Sequence, residues 1–329
     1  MNRPTRWLLG AGLLIFIAVL ASQGLSAVLS MLALAGFGLV PVALYHLVPL
    51  GLDAAAIRVV FAQGQGTMRD ALLARWVGES ANSLMPAGQL GGPVLMARHL
   101  ALRGMRIQDS VAAITVSTTL QTVAQIGFAL IGVALLGAHA GGVSPHAVRG
   151  SALIASGLLA LQLVVFYWLQ RRGLFSKAMR TTAQLLGKRD WSKWLKTAEA
   201  IDVAVELTYR RAGAVASSFA LSLVGWLVGA VEVYWVLHLI GSPVDWGDAL
   251  LLESLGQAIR GAAFAIPGAL GVQEGGYLLL AALVGLSNEA GLALSLAKRA
   301  REVLLALPGL LYLHLTERAG ANAVRSAAR

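Results

Sequence analysis

The chain has 329 residues, 57% hydrophobic and 13% charged, with a mean hydropathy of +0.71. A water-soluble domain of this length needs far more charge to cover its surface, so the composition specifies a polytopic membrane protein. Absence of cysteine excludes disulfides, thiol catalysis and cysteine-type zinc sites, and the formal charge of +10, placed between apolar spans rather than among aromatics on a soluble module, excludes a nucleic-acid partner.

A bilayer crossing needs about 20 apolar residues. In chain order the candidates are 7–22, 32–59, 109–137, 150–170, 213–240 and 290–316, which predicts six crossings. The N-terminus, MNRPTRWLLGAGLLIFIAVLASQGLSA, has the basic start, apolar centre and small-residue tail of a secretory signal. We read it as a retained span from Trp7 to Ser22, with cleavage after the Ala-Ser region as the alternative. Between 171 and 211 stand Arg171, Arg172, Lys177, Arg180, Lys188, Arg189, Lys193, Lys196, Arg210 and Arg211, which makes this basic loop cytoplasmic and places both termini on the same side. Arg69, Arg75, Arg98, Arg103 and Arg106 fall on that side too, while 138–149 and 241–248 are poor in Lys and Arg. In the loop, Trp191, Trp194, Leu195, Ala198 and Ile201 recur at helical spacing, as expected of a helix on the membrane surface or one packed on the bundle.

Two stretches, 71–103 and 249–286, are pairs of short apolar pieces around a Pro/Gly break: NSLMPAGQLGG with Pro86 and Gly88, and FAIPGALGVQEGG with Pro267, Gly268 and Gly271. Each reads as a re-entrant helical hairpin whose irregular tip is buried in protein or lines a cavity; the alternative is a pair of ordinary spans kinked by proline. An offset of 181 places Pro86 on Pro267, Gly104 on Gly285 and span 32–59 on 213–240. The chain therefore divides into repeat 1 (32–137) and repeat 2 (213–318). One crossing between them inverts the second relative to the first, the architecture of secondary transporters. The predicted fold class is an all-α polytopic membrane protein, a single integral domain with six transmembrane helices and two re-entrant hairpins.

Charge at membrane depth costs at least about 2.5 kcal/mol per residue on insertion scales and marks functional positions. It occurs at Glu79 in the first hairpin, at Glu232, at Glu253, Arg260 and Glu274 in the second hairpin, and as Lys298, Arg299, Arg301 and Glu302 in the last span. Three cations against one acid in that last turn leave positive charge over, which suits an anionic lipid head, with Glu302 orienting the arginines and Glu253 or Glu274 taking up a proton. The alternative is a self-neutralising set of structural ion pairs. His46 and His238 lack a second ligand at metal spacing and read as packed or hydrogen-bonded imidazoles. No phosphate-binding G-x-x-x-x-G-K-[ST] loop and no G-x-S-x-G nucleophile elbow occurs. The expectation is no ATPase in this chain, no metal and no cofactor.

The segments ESANSLMPAGQLGG with RHLALRGM, and IPGALGVQEGGYLLLAALVGLSNEAGLALSLAKRAREVLLALPGLL, resemble the flippase-like transmembrane region of the lysylphosphatidylglycerol synthase superfamily, in particular its hopanoid-associated branch. The resemblance covers nearly the whole chain. It implies a translocase of the bacterial inner membrane for a hopanoid, isoprenoid or other polar-headed lipid, without the soluble aminoacyl-transfer domain of the full synthases. The partners it implies are the lipid and the bilayer, with a second copy of the chain or lipid-biosynthesis enzymes as further ones. After the first Gly-Gly, where the family usually has an acidic residue and then an arginine, this chain has Pro93, Val94, Leu95 and Met96, with Arg98 nearby. A membrane-embedded enzyme or accessory acting on a lipid head is the alternative function.

Overall fold

The structure, a computed structural model, describes residues 30, 32–84, 91–136, 150, 157, 160–161, 164–170, 172–186, 191–263 and 266–327. The expected first span, most of 150–170, and Pro86 and Gly88 lie outside the described residues. Every regular element among the described residues is helical.

The apolar stretch Leu32–Val59 passes through a 3-10 turn at Gly36–Gly38 into α1 (Leu39–Tyr45) and α2 (Leu47–Val59), which meet at a break on His46. Pro49 explains the break: it has no N–H to give the carbonyl of Tyr45, one turn earlier. The chain continues through α3 (Met68–Leu84), α4 (Gly91–Leu102) and α5 (Ile107–Leu136). The basic loop holds two helices, α6 (Leu174–Leu186) and α7 (Ser192–Arg210). Ala198, Ile201, Val205 and Thr208 of α7 are buried, and Ile201 and Val205 pack with Ile57, Leu100 and Ile114, so this helix is docked on the bundle. Then follow α8 (Ala212–Leu239), α9 (Trp246–Ala262), α10 (Val272–Leu283) and the 40-residue α11 (Asn288–Ala327).

Three helical stretches among the described residues are long and apolar enough to cross a membrane: Leu32–Val59, Ile107–Leu136 and Ala212–Leu239. α11 has the length, but its charged quartet and polar C-terminal end keep it outside that class. The polarity of the molecule is reversed relative to a soluble protein. Phe37, Leu44, Leu130, Leu279, Leu304, Leu307, Leu311 and Leu315 are exposed, whereas Glu232, Glu253, Glu274, Lys298, Arg301 and Glu302 are buried. Such a surface is stable against acyl chains and not against water.

Two helix pairs are antiparallel hairpins. Gly78 of α3 faces Met96 of α4, and nearer the tip the Asn82 carbonyl oxygen accepts from Gly92 N at 2.9 Å. In the other pair Gly256 of α9 faces the ring of Tyr277 of α10, and Gly276 faces Ile259. The base of the first hairpin is closed by Asp70, which pairs with Arg103 at 2.8 Å and accepts from Thr67 N at 2.9 Å. Partial burial pushes its carboxyl up, but the bonds from Thr67 and Arg103 outweigh that and hold it below its usual range. The second hairpin turns through residues with positive φ, Gly268 (61°), Ala269 (50°) and Gly271 (79°), backbone that only glycine adopts without strain. α5 and α11 start at 107 and 288, 181 apart, and the glycines preceding them, Gly104 and Gly285, both have positive φ.

Close helix contact makes one glycine critical. A Cβ on Gly291 of α11 would stand 2.7 Å from Ala281 Cβ and 2.8 Å from the Tyr277 carbonyl oxygen, whereas one on Gly275 meets nothing within 4 Å. Gly291→Val should therefore destabilise the protein by about 1–3 kcal/mol. Gly275→Ala should be neutral or stabilising, as alanine is the better helix former. Thermal unfolding of the two variants in detergent checks both.

Candidate functional site

Five helices and the break at His46 send ionisable side chains to one cavity of about 210 Å³. Asp53 comes from α2 and His46 from the break before it, Arg75 and Glu79 from α3, Glu232 from α8, Glu253 and Arg260 from α9, and Arg301 and Glu302 from α11. Gln121 and Gln125 of α5, Gln257 of α9 and Asn82 of α3 add neutral polar groups to the lining, and Gly268 and Ala269 bring the second hairpin tip to it. Helical periodicity explains the convergence on α11: Lys298, Arg301 and Glu302 fall on the inward face, while Leu304, Leu307 and Leu311 point out.

The charges pair between helices. Arg301 Nη1 bonds the Glu232 carboxylate and lies 2.9 Å from His46 Nδ1. The His46 ring bridges Glu232, at 2.5 Å from Nδ1, and Glu79, at 2.7 Å from Nε2. Arg75 Nη2 pairs with Asp53 at 2.7 Å and stands 3.6 Å from Glu79, and Gln121 donates to Asp53 at 2.7 Å. Arg260 Nη1 bonds Glu302, whose carboxylate is also 3.4 Å from Arg299 Nη1 and 3.7 Å from Arg301 Nη2. Lys298 Nζ donates to Glu253 at 2.6 Å; Gln257 donates to the other oxygen of that carboxylate at 2.8 Å. Arg301 Nε, in a side chain 9% exposed, is buried without a hydrogen-bond partner among the described residues.

The sequence-derived residues thus divide. Glu79, Glu253, Arg260, Arg301 and Glu302 face the cavity, together with Gly268. Lys298, Arg299 and Glu274 stand behind it and hold the second hairpin. Glu274 accepts from Gly271 N at 2.7 Å, capping α10, while Arg299 pairs with Glu274 at 2.9 Å and donates to the Gly268 carbonyl. Arg299 directs Nε to Glu274 and Nη1 to the hairpin tip, with Nη2 unbonded among the described residues, and Glu274 is fully buried; neither lines the cavity. Arg98 is exposed on α4 and is not among the residues that line the cavity. One correction concerns charge: with Asp53, Glu79, Glu232, Glu253, Glu274 and Glu302 opposite Arg75, Arg260, Lys298, Arg299 and Arg301, the excess of positive charge expected from α11 alone does not exist.

Sequence reasoning passed over Asp53, Arg75 and the role of His46. Arg75 reads as an interface marker until its neighbours are examined: it lies one helical turn before Glu79 on the polar face that also carries Asn82, and that face was the available signal. His46 sits 33 positions from Glu79 and 186 from Glu232, a separation that no local motif encodes. His238, by contrast, bonds the Tyr234 carbonyl at 2.8 Å and packs on the Tyr234 ring, away from the cavity lining.

The pairings give a stability prediction for each bridge. Removing one partner strands a buried charge at a cost of about 3–5 kcal/mol, whereas removing both is close to neutral. Arg260→Gln should lower the melting temperature strongly, and Arg260→Gln with Glu302→Gln should restore most of it. Calorimetry of the single and double variants tests this pairing, and an unrecovered double variant would contradict it.

Comparison with curated proteins and with solved structures finds no match. The family model described as the lysylphosphatidylglycerol synthase TM region matches residues 7–309, which spans both helical hairpins and every cavity-lining residue named above. The chain belongs to the family of lysylphosphatidylglycerol synthase transmembrane regions.

Proposed function

We propose that this protein is a lipid translocase of the bacterial inner membrane, moving the polar head of a hopanoid, isoprenoid or similar lipid through the cavity while the tails stay in the bilayer. The observation that carries the proposal is the charge-lined cavity between two helical hairpins in a molecule whose outside is apolar. Membership of a family of membrane lipid proteins supports the choice of a lipid as the ligand. Size supports it as well. About 210 Å³ is below the ~300–1,000 Å³ of pockets that enclose whole drug-sized ligands, so the space suits a head group and not an acyl chain.

In this reading 32–137 and 213–318 are inverted repeats, the α3–α4 and α9–α10 pairs are re-entrant hairpins entering from opposite faces, and six crossings place both termini and the 171–211 segment in the cytoplasm. The 181-residue spacing between the starts of α5 and α11 supports the repeat. Irregular backbone at Gly268 to Gly271 is the kind tolerated at membrane depth where it lines a cavity. Arg301, Arg260 and Glu79 contact the head, and no cofactor or ATPase of its own takes part. A second reading, an enzyme acting on the head group, draws on His46 held between two carboxylates, an arrangement suited to acid-base chemistry.

The two readings separate on product. Purified protein in unilamellar vesicles of bacterial phospholipid, with a head-labelled lipid on one leaflet, should equilibrate the label across the bilayer and leave it chemically unchanged. Arg301→Gln should slow that exchange by about a hundredfold, for roughly 3 kcal/mol of lost contact. A covalently altered lipid by mass spectrometry, without translocation, favours the enzyme.

A further inference from the structure

The contacts of His46 require a proton that the side chains at their ordinary charges do not supply. Nδ1 lies 2.5 Å from a Glu232 oxygen on α8, and Nε2 lies 2.7 Å from a Glu79 oxygen on α3. A neutral imidazole has one N–H and one lone pair, and a lone pair facing an ionised carboxylate is repelled. Arg301 Nη1, 2.9 Å away, can donate to a bare Nδ1, but that lone pair would still face the Glu232 oxygen at 2.5 Å. Both carboxylate contacts therefore hold only if the ring is doubly protonated, or if one carboxyl carries the proton and donates it to the ring. Either way the trio contains one proton more than a neutral ring and two carboxylates.

The surroundings agree. Facing the trio are Asp53 on α2, Arg75 on α3, Glu253 and Arg260 on α9, and Lys298, Arg301 and Glu302 on α11. With Glu274 and Arg299 behind them, the network has one carboxylate more than it has arginines and lysines, so a single bound proton makes it neutral, the least costly state at membrane depth. The alternative acceptors are already engaged: Glu253 by Lys298 and Gln257, Glu274 by Gly271 N and Arg299.

We infer that the Glu79–His46–Glu232 trio is a proton-binding site, and that passage of a lipid head past Arg301 is coupled to loss and recovery of its proton. Arg301 Nη1, 2.9 Å from Nδ1, supplies the exchange. When the proton leaves to water in the cavity, the bare Nδ1 accepts from Arg301, and the guanidinium loosens its hold on Glu232. The trio ties the α1–α2 break, the first hairpin, α8 and α11 together, so its protonation decides which of these contacts persist. The coupling rests on the translocase reading; the proton site does not.

The test has two arms. Protein labelled with nitrogen-15 histidine in lipid nanodiscs, studied by solid-state NMR near pH 7.5, about one unit above the ~6.5 of an isolated imidazole, should show a strongly hydrogen-bonded, protonated imidazole signal that is lost in His46→Gln and shifted in Glu79→Gln. A neutral His46 ring with no proton shared with Glu79 or Glu232 overturns the site, and the wild-type spectrum alone suffices for that if the variants fail to fold. In vesicles holding a head-labelled phospholipid, a pH gradient of about one unit should change the ratio of inward to outward translocation about tenfold for one coupled proton. Translocation indifferent to the gradient overturns the coupling. No translocation under any gradient refutes the translocase reading and the coupling with it, and the nitrogen signal then decides the proton site by itself.

Discussion

The cost of removing charge from water governs this molecule. An unpaired ion at membrane depth is expensive on every scale, and pairing recovers the cost only with good geometry. Each of the four charged side chains clustered in the last helix meets that constraint by reaching a different neighbour: Lys298 to Glu253 on α9, Arg299 to Glu274 on α10, Arg301 to Glu232 on α8, and Glu302 to Arg260 on α9. The helix therefore acts as a post to which the second hairpin and the preceding long helix are fastened. His46 extends the fastening to the first hairpin through Glu79.

Burial on this scale is poor design for stability alone. Replacing buried ion pairs by well-packed apolar residues is often neutral or stabilising, so a network that keeps so many charges, and leaves Arg301 Nε unbonded beside a cavity, invites a functional explanation. The division of labour within the quartet follows. Arg299 and Glu274 shape the hairpin tip, where positive φ at Gly268 and Gly271 demands support, and Arg301 with Glu302 forms the wall of the cavity.

Much of the fold was legible in the sequence because its signals are local. Apolar length marked 32–59 and 213–240, and a glycine marked the turn before Asn288, which begins a helix 181 residues after Ile107 does. The charged quartet was equally plain, since charge in an apolar span stands out. Pairing was not legible, because partners such as Arg301 and Glu232 lie 69 residues apart and any of several carboxylates fits the composition. Counting charges along one helix gave an excess of cations that vanishes once Asp53, Glu232 and Glu253 fold in beside them. Arg75 and Arg98 show the same limit: both read as interfacial arginines, yet one turns inward to Asp53 and the other faces out.

The central claim is that the polar network surrounds a space reachable from water rather than a sealed set of ion pairs. The chain has no cysteine, so single cysteines report without interference. Gln125→Cys and Gln257→Cys replace neutral cavity-lining residues, and their reaction with a membrane-impermeant, water-soluble thiol reagent can be followed in vesicles of each orientation. The account predicts labelling of both positions from at least one face, slowed when a polar-headed lipid is in excess. Two positions inert from both faces, in a folded protein that labels readily at an exposed control site, would contradict it.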